Sequence, residues 1–339
     1  MAVDVARRPT NAPSPVPGSS WTWVGVALAL AFMFVGLRVV DPSSVPWIRN
    51  LLIVFGSLLV EALPFVVLGA FVSAAIEVLV SASTFARLAA TLPRALQLPA
   101  AALAGVVFPV CECGSVPVAR RLATKGLAPS AAVTFMLAAP ILNPVVVAST
   151  FVAYRGRDTL AVMVVGRAAL GFAVAVAVGW VIGARRPAEL LRRPAELDAH
   201  EVDRRESRWK RFFGHLSGDV VFMGRFLILG AAVAATIQTF VPQTVLDGVA
   251  RLPVVSLLAM MALAYVMSLC SESDAFVAAS FVAFGPAAQL AFLVFGPMVD
   301  TKLSALYLGT FSRGFLHTVV IAIAAVTLAG CLWIQVAFG

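Results

Sequence analysis

Long apolar stretches, separated by short polar segments, fill most of the chain after its first 20 residues. A transmembrane helix needs about 20 apolar residues. Five stretches reach that length: Trp21–Val40, Leu51–Val80, Thr159–Ala184, Val220–Val241 and Phe315–Phe338. With 61% hydrophobic and 12% charged residues, the chain is more apolar than soluble domains, in which roughly 25% of residues are charged. The pattern predicts an all-α integral membrane protein that lies in a lipid bilayer.

Two further apolar stretches are interrupted by glycine, proline and polar residues. Pro99–Thr124 contains the polar segment Cys111–Ser115. Leu127–Ala153 is broken at Pro140–Pro144. Glycine and proline leave backbone groups that hydrocarbon cannot satisfy, so such breaks occur where protein or a water-filled cavity covers them. We therefore expect broken helices or re-entrant hairpins that face the inside of the bundle.

The same breaks recur in the second half of the chain, in Pro253–Phe284 and Pro286–Phe311. Residues that match at a separation of 157 positions are Cys113 with Cys270, Pro129 with Pro286, Phe135 with Phe292 and Pro140 with Pro297. The helices that precede the breaks align at a shift of 161 positions. We interpret this pattern as an internal duplication. Paired interrupted segments in two halves are typical of a transporter binding site.

Basic residues indicate how the segments are oriented. Nine of the 25 lysines and arginines lie in Arg185–Arg211, which the positive-inside rule assigns to the cytoplasm together with the N-terminus. In one arrangement, the segments Pro99–Thr124 and Pro253–Phe284 each enter and leave the membrane on the same side. Then 17 basic residues lie on the linker's side of the membrane and five lie on the opposite side. If every segment spans, the split is 14 and eight. The first arrangement is favoured, and it makes the two halves inverted repeats.

The predicted organisation has five parts along the chain. They are a disordered tail (1–20), an extra N-terminal helix with its loop (21–50), a first transmembrane repeat (51–184), a basic cytoplasmic linker (185–219) and a second transmembrane repeat (220–339). The net charge of +8 is attributed to topology rather than to nucleic-acid binding. The sequence has no nucleotide-binding motif, and we predict neither an enzyme nor a cofactor. Association into a homo-oligomer is left open.

Three of the four cysteines lie in the repeated breaks. Thiolates are soft ligands that select Cu(I), Zn(II) and other thiophilic species, among them trivalent arsenicals. Cys111 and Cys113 can reach one ion only if their segment is unwound, which Gly114 would permit. If the two breaks meet, Cys270 joins them in one metal or metalloid site. The alternative is that they are small buried apolar residues, the role expected of Cys331.

Acidic residues accompany these cysteines, although each costs roughly 2.5–3.5 kcal/mol at the centre of a bilayer. Glu112 lies between the first two cysteines and is followed by Gly114 and Ser115. Glu272 and Asp274 follow the third cysteine. We predict that these five residues line the substrate site, and that both second-half acids also take part in proton coupling.

Other polar residues lie at the second pair of breaks and inside the long helices. Asn143 follows one break and aligns with Asp300 in the second half. Asn143 either coordinates the substrate or caps a half-helix. Asp300 and Lys302 either form a structural pair or a charge relay at the substrate site. Glu61 is either a proton carrier or the partner of Arg225 in an ion pair between the halves.

The segments Cys111–Pro117, Gly126–Pro129 and Ala139–Pro144 resemble the signature of the bacterial predicted-permease family that includes the organoarsenical efflux permeases (ArsP-like). The resemblance covers roughly residues 50–338. It implies a permease of the bacterial inner membrane. In one branch it implies export of trivalent methylated arsenicals through cysteine ligands, and other branches are associated with divalent-metal or thiol-related homeostasis.

Two functions from different classes follow from these patterns. The first is a secondary transporter that exports a thiophilic metal or metalloid species. The second is a membrane redox or metal-delivery subunit that works with a soluble metal-binding partner. The sequence lacks a C-x-x-C motif and a pair of haem-ligand histidines, which counts against the second function.

Overall fold

The computed structural model describes residues 46–79, 93–107, 110–183, 207–240 and 253–338, where its regular elements are twelve α-helices. The chain divides into two units, Met1–Leu52 and Ile53–Gly339, and only the start of α1 is described in the first unit. The helices are α1 (Pro46–Leu79), α2 (Arg94–Val107), α3 (Glu112–Thr124), α4 (Pro129–Leu142), α5 (Pro144–Ala153), α6 (Leu160–Ile182), α7 (Arg208–Phe240), α8 (Pro253–Met267), α9 (Asp274–Ser280), α10 (Pro286–Phe295), α11 (Thr301–Thr310) and α12 (Arg313–Phe338).

Five helical stretches in the described ranges are long and apolar enough to cross a membrane. They are Pro46–Leu79, Pro129–Ala153, Leu160–Ile182, Arg208–Thr239 and Arg313–Ala337. The prediction of an all-α integral membrane protein is confirmed. The expected tail, the expected helix Trp21–Val40 and residues 185–206 of the linker lie outside the described residues. Helix α7 begins at Arg208, within the part of the chain that was assigned to the linker.

Proline opens α1, α4, α5, α8 and α10. Its fixed φ suits the first helical position, where no N–H donor is needed. The order of helix lengths is the same in both halves: a long helix, four short ones and a second long helix. This is the order that a duplication would produce, and the symmetry relating the halves remains a prediction.

The short helices α2 and α3 form a hairpin alongside α4. Near the tip of the hairpin, Gly105 of α2 packs directly on the backbone of Ala139, and Ser115 Oγ of α3 donates to the Met136 carbonyl at 3.1 Å. The start of α2 and the start of α4 line one cavity at the other end. The start of α2 and the end of α3 therefore both lie near the start of α4.

The second half has a comparable arrangement around α10. The end of α8 packs against the break that follows α10, where Ser268 Oγ accepts from the Thr301 N–H at 3.1 Å. The turn after α9 is held by Gln289 Nε2, which donates to the carbonyls of Phe281 and Phe284 at 3.0 Å each. Helices α8 and α9 thus bring their broken junction, residues 268–273, into the middle of the bundle.

Ion pairs join three helices at the end of the bundle where α6 finishes, which we call the linker end. Arg121 of α3 contacts Glu77 of α1 at 3.3 Å and Asp219 of α7 at 3.4 Å. Lys125 contacts the same glutamate at 3.2 Å. Ser73 Oγ donates to the Asp219 carboxylate at 2.8 Å. These contacts connect the first half of the chain to the start of the second.

The opposite end, which we call the loop end, brings residues 154–159 against the turn 281–285. Burial raises the pKa of the Tyr154 phenol, so the phenol stays protonated and donates to Gln289 Oε1 at 2.8 Å. Arg157 donates to the Ala279 carbonyl at 2.8 Å. The loops of both halves therefore meet at this end.

Exposed tryptophans lie near the ends of three of the spanning helices. Trp180 and Trp209, at the linker end, are 79% and 72% exposed, and Trp333, near the end of α12, is 70% exposed. Tryptophan is enriched at both membrane–water interfaces because its ring is apolar and its N–H is polar. Their positions agree with a bilayer between the two ends of the bundle.

Candidate functional site: a buried thiol and carboxylate cluster

The two broken junctions bring the three predicted cysteines together. Cys111 is the N-cap of α3, its sulfur lies within 4.8 Å of the Cys270 sulfur, and Cys113 follows in the first turn of α3. All three residues are at most 1% exposed, and all three are free thiols. Cys111 and Cys270 meet across the two junctions, and their role as one site with Cys113 remains a prediction, as does what they bind. Cys331 is also fully buried, in α12, as expected of a small apolar residue.

Gly114 has a different role from the predicted one. It lies inside the regular helix α3, and the chain is extended at Cys111 instead, so the prediction that Gly114 unwinds the segment is wrong. A Cβ on Gly114 would lie 2.9 Å from the Phe65 carbonyl oxygen and 3.4 Å from Gly69 Cα. The glycine is needed because α1 crosses α3 at this point.

Glu112 lies at the centre of the cluster and is 1% exposed. Its Oε2 accepts a hydrogen bond from Ser271 Oγ at 3.0 Å, whereas its Oε1 is buried and accepts none. A Glu112 carboxylate oxygen and the sulfurs of Cys111 and Cys270 all lie within 4.8 Å of one another. Two thiols and a carboxylate at such separations could hold a metal ion.

Lys302 supplies a positive charge beside Glu112. Its Nζ lies 3.7 Å from Glu112 Oε1 and 3.7 Å from Asp300 Oδ2, and Lys302 is 2% exposed. Asp300 also caps α11, because its Oδ1 accepts from the Leu303 N–H at 2.6 Å. The predicted pairing of Asp300 with Lys302 is therefore present, and the lysine is shared with a glutamate of the first half.

Sequence reasoning missed the role of Arg167. Its guanidinium donates to Asp274 Oδ2 at 2.7 Å, to the Ser271 carbonyl at 3.1 Å and to Thr150 Oγ1 at 2.8 Å. The signal was present, because an arginine inside an apolar span seldom occurs without a buried partner. Two buried ion pairs of the cluster join the first half to the second: Glu112 with Lys302 and Arg167 with Asp274.

The predicted ion pair between Glu61 and Arg225 is wrong. Glu61 Oε1 instead accepts a hydrogen bond from Ser273 Oγ at 2.8 Å, which ties α1 to the second broken junction. Arg225 is exposed, and its guanidinium lies 4.6 Å and 5.0 Å from the ring centroids of Phe222 and Phe226. The two side chains face different surroundings, so neither serves the other as a counter-ion.

Three other predicted residues take part in hydrogen bonds around the cluster. Glu272 Oε2 receives a long contact of 3.4 Å from Ser271 Oγ, and its Oε1 accepts no hydrogen bond. Asn143 Oδ1 accepts from the Val145 N–H at 2.9 Å, which is the capping role that was one of its two predicted roles. Ser115 donates to backbone carbonyls of α3 and α4 and so fixes the hairpin.

The sequence comparisons agree with this architecture. The model of the predicted permease family, ArsP_1, matches residues 47–336. The chain belongs to this predicted permease family. The permease is similar to UPF0718 protein YcgR of Bacillus subtilis (strain 168), with 38% identity over 288 residues, or 83% of this chain and 96% of that protein.

A second relative comes from Streptococcus mutans serotype c, where it is named "Putative two-component membrane permease complex subunit". It is 33% identical over 301 residues, which are 87% of this permease and 97% of that protein. No solved structure matches the chain. Family membership and the apolar helices identify a multi-pass bacterial membrane protein, and the relatives favour a transporter over an enzyme.

Proposed function

We propose that this permease is a secondary transporter that exports a thiophilic metal or metalloid species, such as a trivalent organoarsenical. Cys111, Cys113 and Cys270 are the proposed ligands. The observation that carries the proposal is that buried free thiols from two junctions far apart in sequence lie close together, with the Cys111 and Cys270 sulfurs within 4.8 Å of each other. Soft sulfur ligands select thiophilic cargo.

The carboxylates around the thiols support a binding site over a packing role. Buried polar atoms almost always have hydrogen-bond partners, and a group that lacks one in a native structure calls for an explanation. In the described part of the chain, buried carboxylate oxygens that accept no hydrogen bond are Glu112 Oε1, Glu272 Oε1, Asp274 Oδ1 and Asp300 Oδ2. A cation or a hydrogen-bond donor brought by the cargo would satisfy them.

The proposed path of transport follows from the two ends of the bundle. We assign the linker end and the N-terminus to the cytoplasm, because basic residues concentrate there. The thiols then lie between a cytoplasmic end closed by the Arg121 ion pairs and an outer end closed by Tyr154 and Gln289. Inverted repeats that rock against each other would open these ends in turn.

Glu61 is better placed than Asp274 to act as a proton carrier. It is half-buried on α1 and contacts the second junction through Ser273, whereas Asp274 is held by Arg167. Substitution of Glu61 by Gln should abolish transport driven by a proton gradient in proteoliposomes while cargo binding is retained. Gradient-driven transport at the wild-type rate would rule out this role.

Cysteine substitution tests the site directly. Cys111→Ser, Cys113→Ser and Cys270→Ser should each weaken binding of cadmium and of phenylarsine oxide to the purified permease and remove resistance in cells. Cys331→Ser is the matched control, since Cys331 is equally buried but lies in α12, and it should behave as wild type. Full resistance in all three site variants would refute the thiol site.

The second candidate function is favoured by the printed description of the Streptococcus mutans relative as a complex subunit. In this alternative, the permease passes metal or electrons to a soluble partner. Expression of the permease alone in a metal-sensitive strain separates the two functions. Resistance without any partner supports the transporter, whereas resistance that requires a co-expressed neighbouring gene product supports the complex.

A further inference from the structure

We infer that Lys302 acts as a built-in cation beside Glu112, and that a soft metal cation displaces its ammonium group from Glu112 when it binds. In this arrangement Glu112 is a ligand beside the thiols, and Lys302 is a residue that controls affinity and release. The inference rests on the proposed function, and it narrows the preferred cargo to a positively charged one.

The position of Glu112 is the first argument. One carboxylate oxygen, Oε2, is occupied by Ser271, and the other, Oε1, is buried without a hydrogen bond. The glutamate is within 4.8 Å of the sulfurs of Cys111 and Cys270. Glu112 Oε1 is therefore free to coordinate a metal, and Glu112 lies between the thiols and Lys302.

The position of Lys302 is the second argument. Its Nζ is 3.7 Å from Glu112 Oε1 and 3.7 Å from Asp300 Oδ2. Hydrogen bonds from an ammonium group to a carboxylate are about 2.7–3.2 Å long. The ammonium group is thus attracted by both carboxylates without a hydrogen bond to either, and neither contact restrains it to one side.

Electrostatics then dictates what a bound cation does. Two positive charges a few ångströms apart repel strongly in a buried site, so a metal on Glu112 Oε1 excludes the ammonium group from that oxygen. Asp300 Oδ2 is buried and accepts no hydrogen bond, so it can receive the displaced group. Binding exchanges one cation for another, and the return of Lys302 to Glu112 assists release.

Lys302→Met tests this exchange, because methionine keeps most of the aliphatic stem and removes the charge. The variant also leaves Asp300 buried without its cation, which endangers folding. The double variant Lys302→Met with Asp300→Asn removes both charges together. An asparagine should still cap α11, because Asn143 Oδ1 caps α5 in this way at the aligned position.

Cadmium affinity is measured on the purified full-length permease by the thiolate charge-transfer absorbance. We expect Lys302→Met to bind cadmium about tenfold more tightly or better, since a nearby unit charge no longer competes with the metal. The double variant should gain less than the single one, because it also loses the negative charge of Asp300. Release in proteoliposomes should be slower. Affinity for phenylarsine oxide, which adds no positive charge to the thiols, should stay as in wild type. Lys125→Met, which removes a paired lysine at the linker end, is the control and should not alter cadmium affinity.

The outcomes separate this inference from the function on which it rests. Cadmium affinity that is unchanged or weaker in both folded variants would overturn the inference alone. The same holds if phenylarsine oxide affinity rises as much as cadmium affinity, because the effect would then not depend on charge. Absence of cadmium and arsenical binding in the wild type would overturn the proposed function and the inference together.

Discussion

The buried ion pair between Arg167 and Asp274 should be important for the stability of the bundle. We consider Arg167→Met, which keeps part of the side-chain volume and removes the charge and all donors. The substitution breaks the 2.7 Å contact to Asp274 and also the bonds to Thr150 and to the Ser271 carbonyl. It leaves a carboxylate in the bundle without its cation.

The magnitude follows from burial. The side chains of Arg167 and Asp274 are 2% and 4% exposed, and removal of one partner of such a buried pair costs about 3–5 kcal/mol. The pair of Lys125 with Glu77 is 16% and 20% exposed, and more exposed pairs contribute about 1 kcal/mol or less. Lys125→Met should therefore lower the free energy of unfolding much less than Arg167→Met.

The assay is equilibrium unfolding of the purified permease in detergent, with denaturant as the variable. A double variant, Arg167→Met with Asp274→Asn, removes the unpaired charge and should regain part of the lost stability. The reasoning would be refuted if Arg167→Met cost no more than Lys125→Met. It would equally be refuted if Asp274→Asn gave no recovery in the Arg167→Met background.

Three further predictions concern packing, capping and topology. Gly69→Ala should destabilise the permease by about 1–3 kcal/mol, because the added Cβ overpacks against Gly114. Gly56→Ala, with nothing within 4 Å of the added Cβ, should instead raise the melting temperature. Equal melting temperatures for the two variants would contradict the close crossing of α1 and α3. Asn143→Ala should cost about 1 kcal/mol of stability by loss of the α5 cap, and Asn143→Asp should cost less; unfolding curves that coincide for both variants would exclude the cap. Tags in the linker and after α12 should react with impermeant reagents from opposite sides of the membrane, and labelling from one side would disprove the proposed topology.

Local properties of the sequence were sufficient to predict the helical elements and their interruptions. Apolar length predicted the spanning helices, because a bilayer of fixed thickness requires a helix of a certain length. Proline predicted where several helices begin, because its fixed φ suits the first helical position, whereas Gly114 lies inside a regular helix and the first break falls at Cys111. The recurrence of cysteine at both breaks predicted that Cys111 and Cys270 meet, although they are 159 positions apart.

The partners of the buried charges were decided only by the tertiary structure. Arg167 and Asp274 are 107 positions apart, and Ser271 and Glu112 are 159 positions apart, so no local pattern relates them. Arg225 was the partner considered for Glu61, and hydropathy alone did not reveal its contact with Ser273. Such choices depend on which helix faces touch, because charge-assisted hydrogen bonds form only at about 2.7–2.9 Å and in a specific orientation.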